Sequence, residues 1–404
     1  MIRYQQVTDP AGTQPLLRPV CLGDLRLPSR VVMAPTTRAR ADNEGRVPTG
    51  LHAAYYAQRA SAGLIIAECA WVSERAIGFM NAPGLYTDRQ EAAWSRVTGV
   101  VHAMGGRIVA QLSHAGANSH PDHLGGALPA GPSAVNPREI SRTPAGPRET
   151  LTPREMTSAD IDAAVADYAA AAARARRAGF DGVEIAANGT YLIAQFLNPR
   201  LNRRGDGYGA HRGRLLLEIV DAVAAAWDRR RVGVRLSPYW TIRDVPSRSD
   251  VPSRSRGYPY TADAQTLAEY DSLVAALGER HAAYLHLRGR ALAAPGAVPD
   301  FDEFARYRRL FGGPLIANHG FARDTGNAVI EAGAADAVSF SRLFIANPDL
   351  VSRFALGHEL APSDRGTHYS GGARGYIDYP IWPGPAPAGR WTAGVQHGSG
   401  TPWQ

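Results

Sequence analysis

The sequence contains no lysine, so all 44 of its basic residues are arginine. Without lysine the chain can form no Schiff base with a carbonyl substrate, and it cannot carry the Gly-Lys-Ser/Thr loop that binds nucleotide phosphates. The arginines are interspersed with 37 acidic residues and form no basic stripe, although the formal net charge is +7. This scattered distribution argues against a nucleic-acid partner.

Cysteine and long apolar runs are scarce as well. Cys21 and Cys69 are too few for a disulfide framework or a zinc site, and such a low count is typical of a reducing compartment. The first residues, MIRYQQVTDPAGTQ, contain no apolar segment of the signal-peptide type, and no apolar run reaches the length of a membrane span. We therefore expect a cytoplasmic protein without a membrane partner.

The sequence does contain a series of short apolar runs separated by amphipathic stretches. Continuous apolar character predicts parallel strands that are covered on both faces. The clearest helix is predicted over residues 158–178, with Ile161, Tyr168 and Ala175 on one stripe and Gly179 as its stop. The eight predicted strands span residues 30–35, 63–68, 107–113, 182–187, 232–238, 283–288, 314–318 and 336–342. Eight such repeats predict a (β/α)8 TIM barrel, and no Gly-x-Gly-x-x-Gly fingerprint follows a strand to favour an open dinucleotide-binding sheet.

Three segments outside the repeats are expected to cover the ends of this barrel. Residues 20–27 predict a capping hairpin at its bottom, and residues 121–153 are too long for a plain connection, so they predict an excursion over the C-terminal face. The hexapeptide DVPSRS occurs in tandem at 244–249 and 250–255. It is either a neutral duplication in a solvated loop or a lid over the functional site.

The last residues differ in composition from the rest of the chain. We expect residues 1–380 to form the barrel domain and residues 381–404, which are rich in proline and glycine, to form a separate tail. This tail is either disordered or docked on a neighbouring subunit, which would make the protein a homo-oligomer.

Polar residues at the predicted strand ends are candidates for a site, because barrel enzymes place catalytic and cofactor groups there. The first strand ends in MAPTTR, with hydroxyl groups at Thr36 and Thr37. The third ends at Gln111, whose amide can read a pyrimidine-like edge by donor and acceptor together. The histidines that follow Gln111 match no compact metal-ligand spacing, so no metal is expected.

Two further signals point to a bound anion. Arg235 lies inside the fifth predicted strand, where a guanidinium must either face an anion or form an ion pair within the barrel. The seventh and eighth strands end in NHGF and SFSR, and the loops after these two strands form the standard phosphate site of this fold.

Taken in order, these motifs resemble the old yellow enzyme family of FMN-dependent ene-reductases. The resemblance extends from about Leu16 to Pro380 and is carried by MAPTTRARA, QLSHAGANSHP, GFDGVEI, YLIAQFLNPRLNRRGDGYG, GVRLSP, PLIANHGF, FSRLFIANPDL and GYIDYP. It implies FMN at the barrel mouth, reduced by NAD(P)H. It also implies hydride transfer to the β-carbon of an activated alkene and protonation at the α-carbon.

The resemblance also assigns expected roles to residues. Tyr191 takes the place of the family's proton donor, and Tyr369 that of an aromatic residue at the substrate mouth. Arg235 is expected beside flavin N1, and Gln111 at the pyrimidine edge. The expected cofactor-binding residues are Pro35, Thr36, Thr37, Cys69, Gln111, Arg235, His319, Gly320, Phe321, Ser341 and Arg342. Among these, Cys69, His319 and Ser341 stand where small glycines are usual.

The substrate anchors depart from the family pattern. In the family, the fourth strand ends in the pattern Glu-Ile-His-x-x-Asn/His-Gly-Tyr-Leu, whereas this chain has EIAANGTYL at positions 184–192. Ala186 and Gly189 therefore replace the pair that holds the substrate carbonyl and stabilises its developing negative charge. Asn188 either reaches the substrate or is a turn residue beside Gly189. Ser113 replaces the family's tryptophan and is expected to widen the substrate pocket.

Three functions remain open at this point. The first is reduction of an activated C=C bond in a bulky or specialised small molecule, with Tyr191 as general acid, because a phenol of pKa about 10 stays protonated at neutral pH. The second is an atypical flavoenzyme of a biosynthetic pathway that catalyses dehydrogenation, isomerisation or rearrangement. The third is a non-catalytic FMN-binding protein, since a fold alone does not establish an activity.

Overall fold

Eight short parallel strands close into a barrel in the computed structural model, which describes residues 14–238, 263–290 and 296–382. The strands follow one another around the barrel in chain order, and each overlaps one of the predicted strands, so the predicted TIM barrel is confirmed. They are β1 Val31–Met33, β2 Leu64–Trp71, β3 Ile108–Ser113, β4 Gly182–Ala187, β5 Val232–Leu236, β6 Tyr284–Arg288, β7 Leu315–Asn318 and β8 Ala337–Phe340.

The helices surround the barrel and cover the outer faces of the strands. The predicted helix over 158–178 is found as Ser158–Arg177, and Gly179 follows its cap in the left-handed conformation at φ 81°. Thr157 caps its start by accepting a hydrogen bond from the Asp160 backbone N–H. The described α-helices are α1 Gly50–Ala57, α2 Asp88–Ala103, α3 Ser158–Arg177, α4 Leu192–Leu197, α5 Gly207–Ala210, α6 Arg214–Ala226, α7 Ala264–Glu279, α8 Phe301–Phe311, α9 Arg323–Glu331, α10 Arg342–Ala346 and α11 Leu350–Leu356.

The predicted capping hairpin closes the amino-terminal end of the barrel. Its strands, Val20–Leu22 and Leu25–Leu27, pair in antiparallel fashion. The turn between them requires Gly23, which has φ 58° and whose added Cβ would lie 2.3 Å from the Arg230 carbonyl oxygen. The leucines of the hairpin pack with Val32 and Tyr284 in a separate hydrophobic cluster. This hairpin therefore leaves only the opposite, C-terminal face open.

The loop after β3 crosses that C-terminal face as expected. It contains an antiparallel pair, Ile140–Thr143 and Gly146–Glu149, which we call the top hairpin together with the preceding Glu139. The Met80 backbone N–H donates to the Arg142 carbonyl oxygen at 2.8 Å and so ties the top hairpin to the loop after β2. The excursion is thereby fixed over the barrel mouth.

Residues 365–376, which we call the C-terminal strap, return to the barrel mouth from the end of the chain. They are held by Arg38 and Arg40, two buried side chains from the loop after β1. Arg38 Nη2 donates to the Gly375 carbonyl at 2.7 Å, and Arg40 donates to the carbonyl oxygens of Thr367, His368, Ser370, Gly372 and Arg374. The strap carries Tyr369 to the rim of the mouth.

Two sequence predictions fall outside the described residues. They concern the DVPSRS repeat at 244–255 and the tail from residue 383 onward. Of the predicted tail only Ile381 and Trp382 are described, and the Trp382 ring stacks on His358 with 4.4 Å between centroids. Within the three described ranges, no helix combines the length and the apolar character needed to cross a bilayer.

Candidate active site

A cavity of about 410 Å³ opens at the C-terminal ends of the strands. Seven of the residues predicted for the site line it: Pro35, Thr37, Cys69, Gln111, Asn188, Tyr191 and Arg235. They come from the ends of five different strands, and only closure of the barrel brings them together. The other residues lining the cavity are Gly78, Phe79, Asn118, Glu139, Ile140, Arg142, Ala186, Gly189, Thr190 and Arg288.

The base of the cavity is a chain of buried hydrogen bonds. Gln111 Nε2 donates to Glu184 Oε1 at 2.8 Å, and Glu184 Oε2 lies 2.8 Å from His286 Nδ1. His286 Nε2 in turn lies 2.8 Å from Ser339 Oγ. Burial alone would raise the pKa of Glu184, but His286, Arg235 and the Gln111 hydrogen bond together hold it below its ordinary value. A carboxylate therefore sits under the barrel mouth and fixes the Gln111 amide.

Arg235 has an unsatisfied hydrogen-bond donor, with which an acceptor atom of a bound cofactor would pair. Its Nη2 donates to Asn318 Oδ1 at 3.1 Å, and burial lowers the pKa of the guanidinium. Its Nε is buried and has no hydrogen-bond partner among the described residues. Arg235 forms no ion pair within those residues, and Glu184, the carboxylate whose charge acts on it, pairs with His286 instead, so the alternative of a salt bridge inside the barrel is not observed. Because buried donors are rarely left unpaired, the site fits a bound group that presents acceptors here, as the pyrimidine edge of FMN does.

The loops after β7 and β8 form the other end of the candidate cofactor site. His319 and Gly320 are both left-handed, at φ 95° and φ 80°, so the loop turns sharply after Asn318. Thr36 Oγ1 lies 3.0 Å from Ser341 Oγ, which joins the loop after β1 to the residue preceding α10. Arg342 is exposed at the start of α10. These positions could hold the phosphate of FMN.

Phe321 has a different environment from its loop neighbours. Its ring is 8% exposed and lies 5.5 Å from Phe304 and 6.4 Å from Phe301, between ring centroids. The side chain is therefore part of the packing between the β7 loop and α8. Only the backbone of Phe321 is available to a phosphate.

Tyr191 presents a free hydroxyl to the cavity. It follows β4, and its ring lies 5.8 Å from that of Trp71 in an edge-on arrangement. Its hydroxyl has no hydrogen-bond partner among the described residues, and burial raises the pKa of the phenol well above its ordinary value. The group is therefore protonated at neutral pH and able to donate a proton to a bound molecule.

The positions of the missing substrate anchors carry no polar side chain. Ala186 is buried in β4, where it pairs with Arg235 of β5. Gly189 has φ 73°, and a Cβ added there would meet no atom within 4 Å. Asn188, between them, lines the cavity. Both anchor positions line the cavity without a side chain that can bind a carbonyl group.

The remaining predicted residues lie at the edges of the cavity. Tyr369 is 39% exposed at the rim, and its ring lies 5.4 Å from that of Phe79. Ser113 is fully buried at the end of β3 and is not among the residues that line the cavity. Burial raises the pKa of the Cys69 thiol to about 12, so this side chain is a neutral thiol.

Several residues of the site were not predicted from the sequence. Glu184 and His286 are charged or titratable residues within apolar strands, the same signal that identified Arg235, and it could have been applied to them. Glu139, Arg142 and Asn118 carry no such signal. They belong to the long loop after β3, and only its folding over the mouth brings them to the cavity.

Comparison with known proteins agrees with this geometry. The family model described as NADH:flavin oxidoreductase / NADH oxidase matches residues 15–361. The flavin oxidoreductase hxnT of Emericella nidulans is 37% identical, over 91% of this chain and 98% of that protein. The 12-oxophytodienoate reductase 1 of Oryza sativa subsp. japonica is 36% identical, over 92% of this chain and 94% of that protein.

Solved structures show the same likeness. The structure of morphinone reductase in complex with tetrahydroNAD is 40% identical, with a TM-score of 0.81 over 91% of this chain and 97% of that chain. The old yellow enzyme homologue from Zymomonas mobilis is 34% identical, with a TM-score of 0.81 over 91% of this chain and 99% of that chain. The chain belongs to the NADH:flavin oxidoreductase family and is an FMN-dependent oxidoreductase of the old yellow enzyme type, with a nicotinamide cofactor as electron donor.

Proposed function

We propose that this protein reduces an activated C=C bond in a bulky or specialised small molecule. Bound FMN supplies the redox chemistry, taking a hydride from NAD(P)H and passing it to the β-carbon of the alkene. Tyr191 supplies the proton that the α-carbon needs, so that a hydride and a proton together saturate the double bond. We also propose that the enzyme works in the cytoplasm, where its two free cysteines stay reduced.

One observation carries this proposal: the unpartnered hydroxyl of Tyr191 lines the same cavity as Gln111 and Arg235. Catalytic acids must lie within hydrogen-bond reach of the atom that they protonate. Gln111 and Arg235 would hold the cofactor at the base of this cavity, and Tyr191 would face a substrate bound beside it. This arrangement suits delivery of hydride and proton to one substrate.

Several of the chain's own residues hold and tune the cofactor in this proposal. Arg235 would place positive charge beside the flavin N1–C2 edge, where negative charge accumulates on reduction. Gln111 reads the pyrimidine edge in an orientation fixed by Glu184. Pro35, Thr36, Thr37 and Cys69 would contact the ring system, and His319, Gly320, the backbone of Phe321, Ser341 and Arg342 would hold the phosphate.

The substrate side differs from that of a simple enone reductase. The positions of Ala186 and Gly189 hold no group that can bind a substrate carbonyl, which favours a larger substrate bound by other contacts. Asn188 and Tyr369 are the proposed substrate-binding residues, whereas Ser113, which was also expected to bind the substrate, is buried at the end of β3 and does not line the cavity. The same missing anchors support a second candidate, an atypical flavoenzyme that catalyses dehydrogenation, isomerisation or rearrangement.

The two candidates are separated by following the flavin spectrum. We expect the purified protein to be yellow, to be bleached by anaerobic NADPH or NADH, and to be reoxidised by enones larger than 2-cyclohexenone. Rapid bleaching without turnover of any enone would favour the second candidate. A protein that takes up no FMN would contradict both.

A further inference from the structure

A second cavity, which we call the side pocket, opens between the loops after β1, β2 and β3 and the first half of α3. Its lining residues are drawn from 45–46, 74–86, 114–130 and 154–167. Its volume is about 540 Å³, which is in the range of ordinary small-molecule sites. Ile77 lines the side pocket, whereas the next residues, Gly78 and Phe79, line the cavity at the barrel mouth. The two cavities share no lining residue, so the side pocket is a separate place for a ligand.

Part of the lining of the side pocket is apolar. Ile77 is 5% exposed and Met156 is 3% exposed, so both belong to the packed interior. Leu124 and Leu128 come from the loop after β3, and Leu128 is 51% exposed. A ligand with a hydrophobic body would remove this leucine from water, which is favourable in proportion to the apolar area covered.

Most of the charged groups of the side pocket are already compensated. Arg154 donates two hydrogen bonds to the Asp160 carboxylate, at 2.6 and 2.8 Å. Arg75 Nη2 lies 3.4 Å from Asp167 Oδ2. The Glu74 side chain is exposed, so water hydrates its carboxylate. None of these five groups requires a ligand.

Arg46 is the exception among the charged groups. Its side chain is half-buried, and its guanidinium donates one long hydrogen bond, from Nη1 to the Phe79 carbonyl oxygen at 3.4 Å. It forms no ion pair within the described residues. Burial lowers the pKa of the guanidinium, and among those residues only Tyr86 opposes this effect. Because a partly buried cation with so few acceptors is costly, Arg46 favours a ligand that brings a negative charge.

His123 adds a second unsatisfied group beside Arg46. Both of its ring nitrogens are buried and form no hydrogen bond among the described residues, although the Arg142 backbone lies nearby. Burial and the charge of Arg46 lower the pKa of the imidazole to about 4, so the ring is neutral at pH 7 and carries one donor and one acceptor. Since charges shift a pKa at short range, this effect also places Arg46 close to the ring.

The two side chains together indicate which anion fits. A carboxylate pairs with a guanidinium through two oxygens in one plane, and one of these oxygens can also accept from the His123 N–H. A phosphate monoester would bring up to two negative charges. The side pocket offers no second cation for it, because Arg75 and Arg154 are held by Asp167 and Asp160.

We propose that the side pocket binds a small carboxylate with a hydrophobic body. The carboxylate pairs with Arg46 and accepts a hydrogen bond from His123, and the body covers Leu128 and Met156. This site is additional to the cofactor and alkene sites at the barrel mouth, and it does not depend on the proposed reaction.

The test uses an acid and its neutral isostere, 3-phenylpropanoate and 3-phenylpropanamide. Neither contains an activated C=C bond that the enzyme could reduce. Isothermal titration calorimetry of the holoenzyme at pH 7.5 gives both dissociation constants, and the flavin absorbance is recorded in parallel. We expect the acid to bind about tenfold more tightly than the amide, because a hydrogen bond to a charged group is stronger than one to a neutral group. The flavin spectrum should stay unchanged, since the ligand does not enter the mouth.

Two variants decide the assignment. Arg46→Gln removes the charge and should bring the ratio of the two dissociation constants close to one. His123→Phe keeps an aromatic ring without its nitrogens and should weaken the binding of both compounds. Arg89→Gln is the matched control, because Arg89 is an exposed arginine of α2 that does not line the side pocket, and it should keep the wild-type ratio. FMN content and the thermal unfolding midpoint verify folding.

The possible results separate the side pocket from the mouth. A wild-type ratio near one, or a ratio that Arg46→Gln leaves unchanged, would overturn the proposal. So would an acid that perturbs the flavin spectrum equally in the wild type and in Arg46→Gln, because it would then bind at the mouth. If Arg46→Gln does not fold, unchanged affinities in His123→Phe would overturn the proposal instead. A charge-dependent ratio in an enzyme that reduces no enone would uphold the side pocket and contradict only the proposed reaction.

Discussion

Gln111 and Glu184 are joined inside the barrel by a hydrogen bond of 2.8 Å from Nε2 to Oε1. Because the carboxylate accepts, the Gln111 amide nitrogen must face it, and the amide cannot turn over without losing a charge-assisted bond. The amide oxygen is thereby left for the cofactor. The other carboxylate oxygen is held by His286, so the orientation of one cofactor-reading side chain depends on a buried network of three strands.

The first prediction concerns this network. Glu184→Gln replaces a charged acceptor by an amide that can also donate, so Gln111 loses its fixed orientation. Hydrogen bonds to charged groups contribute about 1.5–3 kcal/mol, and FMN affinity should therefore fall about tenfold or more. Titration of the apoprotein with FMN, followed by flavin fluorescence, measures the change.

A second buried carboxyl provides the control for Glu184→Gln. Glu303 is 6% exposed in α8, pairs with Arg290 at 3.5 Å and does not line the cavity. Glu303→Gln should keep the FMN affinity of the wild type. Equal FMN affinity in Glu184→Gln and the wild type would show that Glu184 does not orient Gln111.

The second prediction concerns the proton donor. Tyr191→Phe removes the only atom of this side chain that can donate a proton, and general acid catalysis typically contributes at least about 100-fold. Stopped-flow measurements should show a correspondingly slower reoxidation of the flavin by an enone, whereas its reduction by NAD(P)H keeps the wild-type rate. Tyr86→Phe, outside this cavity, is the control. Unchanged reoxidation would assign the proton to Thr190 or to water.

The third prediction restores the missing carbonyl anchors. Ala186→His combined with Gly189→Asn places two hydrogen-bond donors at positions where the structure shows free space. Asparagine tolerates the left-handed backbone that Gly189 adopts at φ 73°. The doubly substituted enzyme should reduce 2-cyclohexenone about 10- to 100-fold faster than the wild type, measured as kcat/KM. An unchanged kcat/KM would mean that these positions do not reach the substrate carbonyl.

The fourth prediction concerns stability at acid pH. His114 is buried, its Nδ1 accepts a hydrogen bond from the Gly116 N–H at 3.0 Å, and burial together with Arg75 lowers its pKa to about 3. The unfolded chain takes up a proton near pH 6.5 and the folded chain does not. The stabilisation that His114 contributes is therefore complete above pH 6.5 and is lost as the pH falls from 6.5 toward 3.

A substitution at His114 can test this loss of stability at acid pH. His114→Asn keeps an acceptor for the Gly116 N–H and removes the titrating group. When the pH is lowered from 7.5 to 5, the free energy of unfolding of the variant should therefore decrease by about 2 kcal/mol less than that of the wild type. Urea unfolding at the two pH values measures the difference. His211→Asn, on an exposed histidine, should follow the wild type. An equal loss in wild type and His114→Asn would contradict the assignment.

The sequence was sufficient to predict the barrel because its strands are short, apolar and covered on both faces. It also identified Arg235 correctly as a residue requiring explanation, since a guanidinium within such a strand is costly to bury. Glu184 and His286 satisfy the same criterion, and their mutual hydrogen bond explains how a barrel interior tolerates them. The strands of the barrel and the polar residues buried within them can therefore be recognised from the local sequence pattern alone.

The residues above the cavity were beyond sequence reasoning. Glu139 and Arg142 belong to a polar loop whose composition indicates only an excursion over the mouth. Their position follows from contacts with the loop after β2, such as the bond from the Met80 N–H to the Arg142 carbonyl. Arg40 likewise contacts residues more than 300 positions away along the chain, and nothing in its own neighbourhood indicates this.

The way in which the C-terminal strap is anchored has a consequence for engineering of the mouth. The hydrogen bonds from Arg40 to the strap all end on backbone oxygens, as do the Arg38 bonds to Gly375 and His368, and both guanidinium groups also lie over the ring of Tyr376. The exposed side chains of Tyr369, Ser370, Ala373 and Arg374 can therefore be varied while these backbone hydrogen bonds are kept, whereas Gly371 and Gly372 are needed for their positive φ. A library at these positions would change which molecules can enter the cavity. It would leave intact the hydrogen bonds between the strap and the loop that contains Pro35 and Thr37.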